Sequence, residues 1–335
     1  MPAEPDPAAL ADLARRLVRT TFRARATEPQ PLAAGAWSQA FELTIDGMEM
    51  VLRIGAHGTD FAKDEVAARC AGPNLPVPPV LARGVFDDWQ YAISARVHGT
   101  GFDDLSAADV ALTLPSLLTA LDAIGRIDLA GTAGYGIWTP DGQAPYDSWV
   151  DALLAIGTET ARVPGWRAAL ADSEIGLGPV EAGLARLATL GPYLPNERQM
   201  IHGDLLSRNV LAADGTVTAV LDWGNALYGD HLYDAAWLIY WWPWYPQWRT
   251  IDIHAELLTH WHATEPLPTH LHERLHAYLI HIGLDAITYC TYQHRWHEVR
   301  HNADTVIALT NHAPGEILLN PPMTGPRDRG HRHGS

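Results

Sequence analysis

Cysteine is nearly missing from this chain: 335 residues hold only Cys70 and Cys290. Two distant thiols without metal-ligand spacing exclude a disulfide framework and a cysteine zinc site. They read as buried free thiols in a reducing, cytoplasmic setting. Basic residues are also scarce, 23 Lys and Arg against 39 Asp and Glu, for a net charge of −16. With no basic patch to replace counterions on phosphates, the balance argues against nucleic acid as a partner. A cationic small-molecule substrate suits the balance, because acidic clefts concentrate cations. Acidity that serves only solubility suits it equally. No apolar run nears membrane-spanning length: the richest, Ala235 to Trp244, is cut by Pro243. The first residues lack the basic start and apolar middle of a signal peptide. No internal repeat occurs, nothing points to self-association, and a monomer is favoured.

What is present is a globular balance, 47% hydrophobic and 19% charged. An amphipathic helix is predicted over Pro7 to Phe22. Phe41 to Ile45 and Met48 to Ile54 read as strands around Asp46-Gly47, a dipeptide of tight hairpins. Phe61 to Ala71 has helical periodicity and stops at Gly72-Pro73. Val77-Pro78-Pro79 leads extended chain into a second strand pair, Leu81 to Val85 and Trp89 to Val97. Helices follow over Ala107 to Arg126, Tyr146 to Ile156, Val180 to Leu190, Tyr233 to Tyr240, Ile251 to His262 and Pro268 to Arg295. The order predicts an α+β protein of two lobes: residues 1–97 strand-rich, residues 98–320 helical, and a mobile tail over 321–335.

The decisive segment is Ile201-His202-Gly203-Asp204-Leu205-Leu206-Ser207-Arg208-Asn209, followed by two short apolar stretches around Asp214-Gly215 and ending at Asp222. A two-residue turn pairs Ala213 with Thr216 and Asn209 with about Val220, so Asn209 and Asp222 meet at the open end of the hairpin, beside the loop of Asp204. Phosphoryl transfer needs such a set: one carboxylate to orient a hydroxyl and take its proton, another with an amide oxygen to hold Mg2+. Asp204-x-x-x-x-Asn209 has the spacing of a kinase catalytic loop, and Asp222-Trp223-Gly224 stands where kinases place the metal-binding Asp-Phe-Gly. Each residue alone would pass for a cap or a strand end; together and in order they carry the functional reading.

The segment resembles the aminoglycoside phosphotransferases, over about Leu32 to Leu309. The resemblance extends through Gly35-Ala36-Trp37-Ser38-Gln39-Ala40-Phe41, Val51-Leu52-Arg53, Phe61-Ala62-Lys63-Asp64 and Tyr228-Gly229-Asp230. Trp241-Trp242-Pro243-Trp244 and Ile282-Gly283-Leu284-Asp285 are similar to the hygromycin B branch of that family. The resemblance implies a protein-kinase-like fold with ATP or GTP between the lobes. The purine would meet the C=O of Ala95 and the N–H of Val97, and the phosphates Ser38 and Arg53. Asp204 is implied as catalytic base and acceptor contact, Asn209 and Asp222 as Mg2+ ligands, and His202 and Asp230 as braces of the catalytic loop. Arg53 stands where protein kinases have Lys, with Asp64 or Glu65 as its acidic partner; its planar fork does not duplicate an ammonium. The chain also lacks the Arg that receives activation-loop phosphate in protein kinases, which suits an enzyme that is always on.

Six aromatic side chains crowd residues 240–248, where Pro243 should break a helix. A hydrophobic corner accounts for at least half of them; Trp241 and Trp244, which fill the family motif, are the candidates for stacking on sugar rings. Asp285 is the candidate for gripping an ammonium. Asn225 replaces the acid of the hygromycin branch three residues after the metal Asp, which opens the identity of the aminoglycoside; amino-alcohol kinases share the catalytic segment, so another hydroxylated amine is the alternative acceptor. A rival motif, His297-Glu298-Val299-Arg300-His301, has the two-His-on-one-face pattern of a zinc hydrolase, with His294 or His312 as third ligand. A kinase fold that only binds is a third reading, opposed by intact Asp204, Asn209 and Asp222.

Overall fold

Helix α1 (Pro7–Thr21) places Leu10, Leu13, Ala14, Leu17 and Val18 on one stripe. The computed structural model describes residues 7–34, 37–206, 208–264 and 266–317. The stripe packs with Phe41, Leu43, Ile45, Met50, Leu52, Ile54 and Ile93, side chains of an antiparallel sheet in the order β1-β2-β3-β5-β4. Its strands are β1 (Gln30–Ala34), β2 (Ser38–Ile45), β3 (Met48–Gly55), β4 (Val80–Phe86) and β5 (Trp89–Ala95). Strict alternation of buried and half-buried positions along β2 gives the sheet one core face. The turn at Asp46-Gly47 is left-handed at both residues, φ 51° and 81°, as the sequence predicts. Between β3 and β4, helix α2 (Gly58–Ala68) starts and stops three residues earlier than its periodicity suggests.

Two short sheets follow. Strand β6 (Thr100–Gly101) joins the hairpin of β9 (Val210–Ala213) and β10 (Thr216–Val220), in the order β10-β9-β6. Strand β11 (Leu227–Gly229) lies between β7 (Gly136–Ile137) and β8 (Gln199–Ile201). By packing, the described residues form two compact units. One holds those up to Asp104 together with Arg208 to Asn225; the other holds Leu105 to Leu206 and everything from Ala226 onward.

The second unit is helical: α3 (Ala107–Gly125), α4 (Trp149–Leu154), α5 (Trp166–Ala171), α6 (Gly178–Leu190), α7 (Leu232–Trp241), α8 (Ile253–Thr264), α9 (Leu271–Tyr292), α10 (Trp296–Asn311) and α11 (Pro314–Ile317). Ser106 and Ser148 cap α3 and α4 by accepting the N–H of Asp109 and Asp151. The cap at Ser148 is why α4 begins later than Tyr146. The long helix foreseen from Pro268 to Arg295 ends at Tyr292, because His294 takes a left-handed φ of 55° and α10 starts anew at Trp296. Contrary to the sequence reading, among the described residues one helix, α3, is long and apolar enough to cross a membrane by length and composition. Here Val110, Leu114, Leu117 and Ile124 of α3 are core residues. The tail over 321–335 lies outside the described residues.

Candidate active site

The loop after β8 is held through its backbone. His202 is fully buried, and Gly203 turns the chain at φ 76°. The N–H groups of His202 and Gly203 donate to the two carboxylate oxygens of Asp234, each at 2.8 Å. The N–H of Asp204 donates to Nδ1 of His202 at 3.2 Å, leaving the Asp204 side chain half-buried. Buried N–H groups must be paired, so Asp234 in the first turn of α7 sets the shape of this loop. Burial pushes the Asp234 carboxyl up to about 7, against the pull of the two N–H donors. The family resemblance gives a bracing role to His202 and Asp230; Asp234 now stands beside them as the acceptor of the two loop N–H groups. Asp230 accepts the N–H of Leu232 at the start of α7 at 3.2 Å, and from α9 both Nε and Nη2 of Arg274 at 2.7 Å and the hydroxyl of Tyr278. Asp234 has one signal in sequence, a lone acid opening an apolar helix.

The hairpin carrying Asn209 and Asp222 belongs to the sheet unit. Ala213 pairs with Thr216 as expected, but the register slips between Val217 and Ala219. Asn209 therefore meets Leu221, whose N–H donates to its carbonyl at 2.7 Å, rather than Val220. The extra residue is Thr218, whose hydroxyl donates to the carbonyl of His98. Asp222 follows at a left-handed φ of 58° with its side chain 46% exposed. A half-open carboxylate and the partly exposed amide of Asn209 are hard oxygen donors, the set that suits Mg2+.

Arg53 pairs with Asp64, and Nη1 lies 4.0 Å from Asp222. Glu65, the alternative partner, turns instead to Arg69 and Arg83. Burial lowers the pKa of Arg53, while Asp222 and Asp60 raise it. Strand β5 ends at Ala95, two residues before the expected Val97. Ala95 donates to the carbonyl of Pro79, and proline has no N–H to return the ladder bond, so that donor never reaches the Ala95 carbonyl. The N–H of Val97 meets no acceptor among the described residues. Ser38 opens β2 opposite Gly55; Gly35 and Ala36, the expected phosphate loop, lie outside the described residues.

In the aromatic segment, α7 stops at Trp241, and Trp242–Trp244 form a single tight turn around Pro243. Tyr240, Trp242 and Trp248 are core. Trp241 and Trp244 stay partly exposed, edge to face at 5.2 Å, and Trp244 meets the ring of His301 at 5.1 Å. Trp237, which sequence reasoning passed over, joins Trp241 one turn earlier at 5.8 Å. Asp285 is half-buried on α9. Burial lifts its carboxyl to about 6, and Arg162 opposes the shift. Asn225 is partly exposed in the turn after Asp222.

The zinc reading finds no support in the geometry. Glu298, its general base, is paired with Arg295 at 3.0 Å. Among the described residues no three of His, Cys, Asp and Glu converge on a metal position.

Residues 28–267 match the profile of APH, the phosphotransferase enzyme family. Over 263 residues the chain is 34% identical to a hygromycin-B 4-O-kinase of Escherichia coli, covering 76% of this chain and 72% of that protein. A thermostable mutant of aminoglycoside phosphotransferase APH(4)-Ia, solved as a ternary complex with AMP-PNP and hygromycin B, is similar with a TM-score of 0.78. The two are 28% identical, over 90% of this chain and 98% of that one. A putative fructosamine-3-kinase from Haemophilus somnus 129PT, 13% identical with a TM-score of 0.61 over 90% of this chain and 97% of that one, shares the fold alone.

Proposed function

The chain belongs to the phosphotransferase enzyme family, and on that premise we propose that it moves the terminal phosphoryl group of ATP to a hydroxyl of hygromycin B or a closely related aminoglycoside. The fold is protein-kinase-like, a sheet region followed by a helical region. The observation that carries the reading is the segment from Asp204 to Asp222, with kinase spacing and a backbone pinned by Asp234, in a chain 34% identical to a hygromycin-B 4-O-kinase.

In this reading Asp204 orients the acceptor hydroxyl and takes its proton as the phosphoryl group arrives. Asn209 and Asp222 hold Mg2+, which when bound neutralises charge on the phosphates. Arg53, kept in place by Asp64, faces the phosphates with Ser38, and Ala95 and Val97 offer backbone groups to the purine. The ternary complex of the relative contains AMP-PNP, which makes ATP the first donor to test and GTP the second. Asp285 and Asn225 meet the amines and hydroxyls of the acceptor, and Trp241 and Trp244 its rings. Two free cysteines suit work in the cytoplasm.

The test is nucleotide-coupled turnover over a panel of aminoglycosides and small amino alcohols, with phosphorus NMR of the product. Hygromycin B should give a phosphate monoester and require Mg2+. Turnover of amino alcohols alone would move the acceptor to the other hydroxylated amines; no turnover with any nucleotide would overturn the reading.

A further inference from the structure

Helix α2 places two consecutive charged residues, Lys63 and Asp64, inside the protein, 2% and 6% exposed. Burying an ammonium is costly, and a lysine with a four-carbon stem on a short helix has solvent as its easy alternative. Lys63 instead sends Nζ to the carbonyl of Gly224 at 2.8 Å. Asp64, beside it, accepts the N–H of Trp223 at 2.9 Å through the oxygen that Arg53 does not take. One turn earlier, Asp60 lies so close that a Cβ at Gly224 would come within 2.9 Å of its carboxyl carbon. Glycine at 224 is what lets α2 approach the backbone there.

These contacts flank one residue. Asp222 holds a left-handed φ of 58°, a conformation that persists in a non-glycine residue only where its surroundings fix it. Before it, Leu221 is bonded to Asn209; after it, Trp223 and Gly224 are bonded to Asp64 and Lys63. We infer that Lys63 is a positioning residue for the metal-binding carboxylate: its ammonium holds the C=O of Gly224 and the Asp64 carboxylate the N–H of Trp223, the two residues that follow Asp222, and so aim it. The inference rests on the proposed role of Asp222 in holding Mg2+. In this arrangement α2 acts as a fixed clamp on the metal-binding segment, with a donor and an acceptor supplied by neighbouring positions of one helix.

The experiment measures Mn2+ affinity by electron paramagnetic resonance, with nucleotide present, beside the Mg2+ dependence of turnover. Lys63→Met keeps the bulk of the stem and removes the donor. It should weaken Mn2+ binding about tenfold, the lower range for a residue that orients a metal ligand. The Mg2+ concentration for half-maximal turnover should rise by the same factor, and KM for the antibiotic should not change. Lys63→Arg, which retains a donor, should recover part of the loss. Gly224→Ala pushes α2 from the same peptide without touching Lys63 and should weaken Mn2+ likewise. It decides the matter if Lys63→Met does not fold. Asp222→Ala separates the two ideas: if it binds Mn2+ as the parent does, the metal reading itself is wrong. If Asp222→Ala loses Mn2+ while the folded Lys63 variant, or Gly224→Ala in its place, retains parental affinity, the positioning role is overturned.

Discussion

Asp204 has little backbone freedom: its own N–H is tied to His202, and the two residues before it are tied to Asp234. If Asp204 is the base proposed above, a side chain held this way loses its chemistry, and not its place, when the carboxylate becomes an amide. Asp204→Asn should lower kcat by about 10²–10⁴-fold, the range for a positioned general base, with nucleotide affinity retained in a calorimetric titration. Asp285 offers a second test, because its carboxyl titrates near where the enzyme can be assayed. With a pKa raised to about 6, the group is neutral on the acid side and anionic above. Only the anion attracts an ammonium, so KM for hygromycin B should fall as pH rises through about 6. Asp285→Asn should hold KM at its high acid-side value across the range while KM for ATP follows the parent. A parallel pH profile in parent and variant would remove Asp285 from the acceptor site.

At the scale of the element, α7 and α9 divide the work of supporting the loop after β8 and the segment before α7. Asp234 on α7 takes the loop directly; Asp230, just before α7, is locked to Arg274 and Tyr278 of α9. Asp230 is fully buried and Arg274 nearly so, so removing one partner strands the other charge. Arg274→Met should cost about 3–5 kcal/mol in a urea titration, the usual range for breaking a buried pair. The Asp230→Asn, Arg274→Met double variant should recover part of that. None of this pairing was legible in the sequence, where Tyr228-Gly229-Asp230 marks only a motif. The turns were legible, because Asp46-Gly47 and Asp214-Gly215 encode them in two residues. The bulge at Thr218 was not, since it answers to the carbonyl of His98, 120 positions away. The choice of Asp64 over Glu65 by Arg53 also hung on tertiary structure: adjacent helical residues point about 100° apart, and the phase follows from where α2 starts. Strands of two or three residues such as β6, β7, β8 and β11 exist through their partners and leave no periodicity to read.

For the molecule as a whole, a net charge of −16 bears on substrate capture more than on folding. Raising salt from about 50 mM to about 500 mM shortens the Debye length several-fold. KM for a polycationic antibiotic should then rise several-fold and KM for ATP much less. A salt-independent KM would show that ring stacking on Trp241 and Trp244, which salt does not screen, dominates capture.

The hairpin of β9 and β10 packs with the sheet unit although it is encoded about a hundred residues after it. Its ties to that unit are specific: Val220 N–H to the carbonyl of Pro76 at 2.7 Å, Thr218 to His98 at 3.1 Å, and β9 to β6. Gene shuffling makes the consequence visible. A recombinant of this chain with a relative, joined once after Asp104, inherits its sheet from one parent and the hairpin that completes it from the other. Such a chimera should express poorly in soluble form and melt below both parents. A second chimera, with residues 207–225 returned to the parent of the sheet, should recover most of the loss. What is inherited as one piece here is discontinuous in the gene, and its breakpoints follow the hydrogen bonds.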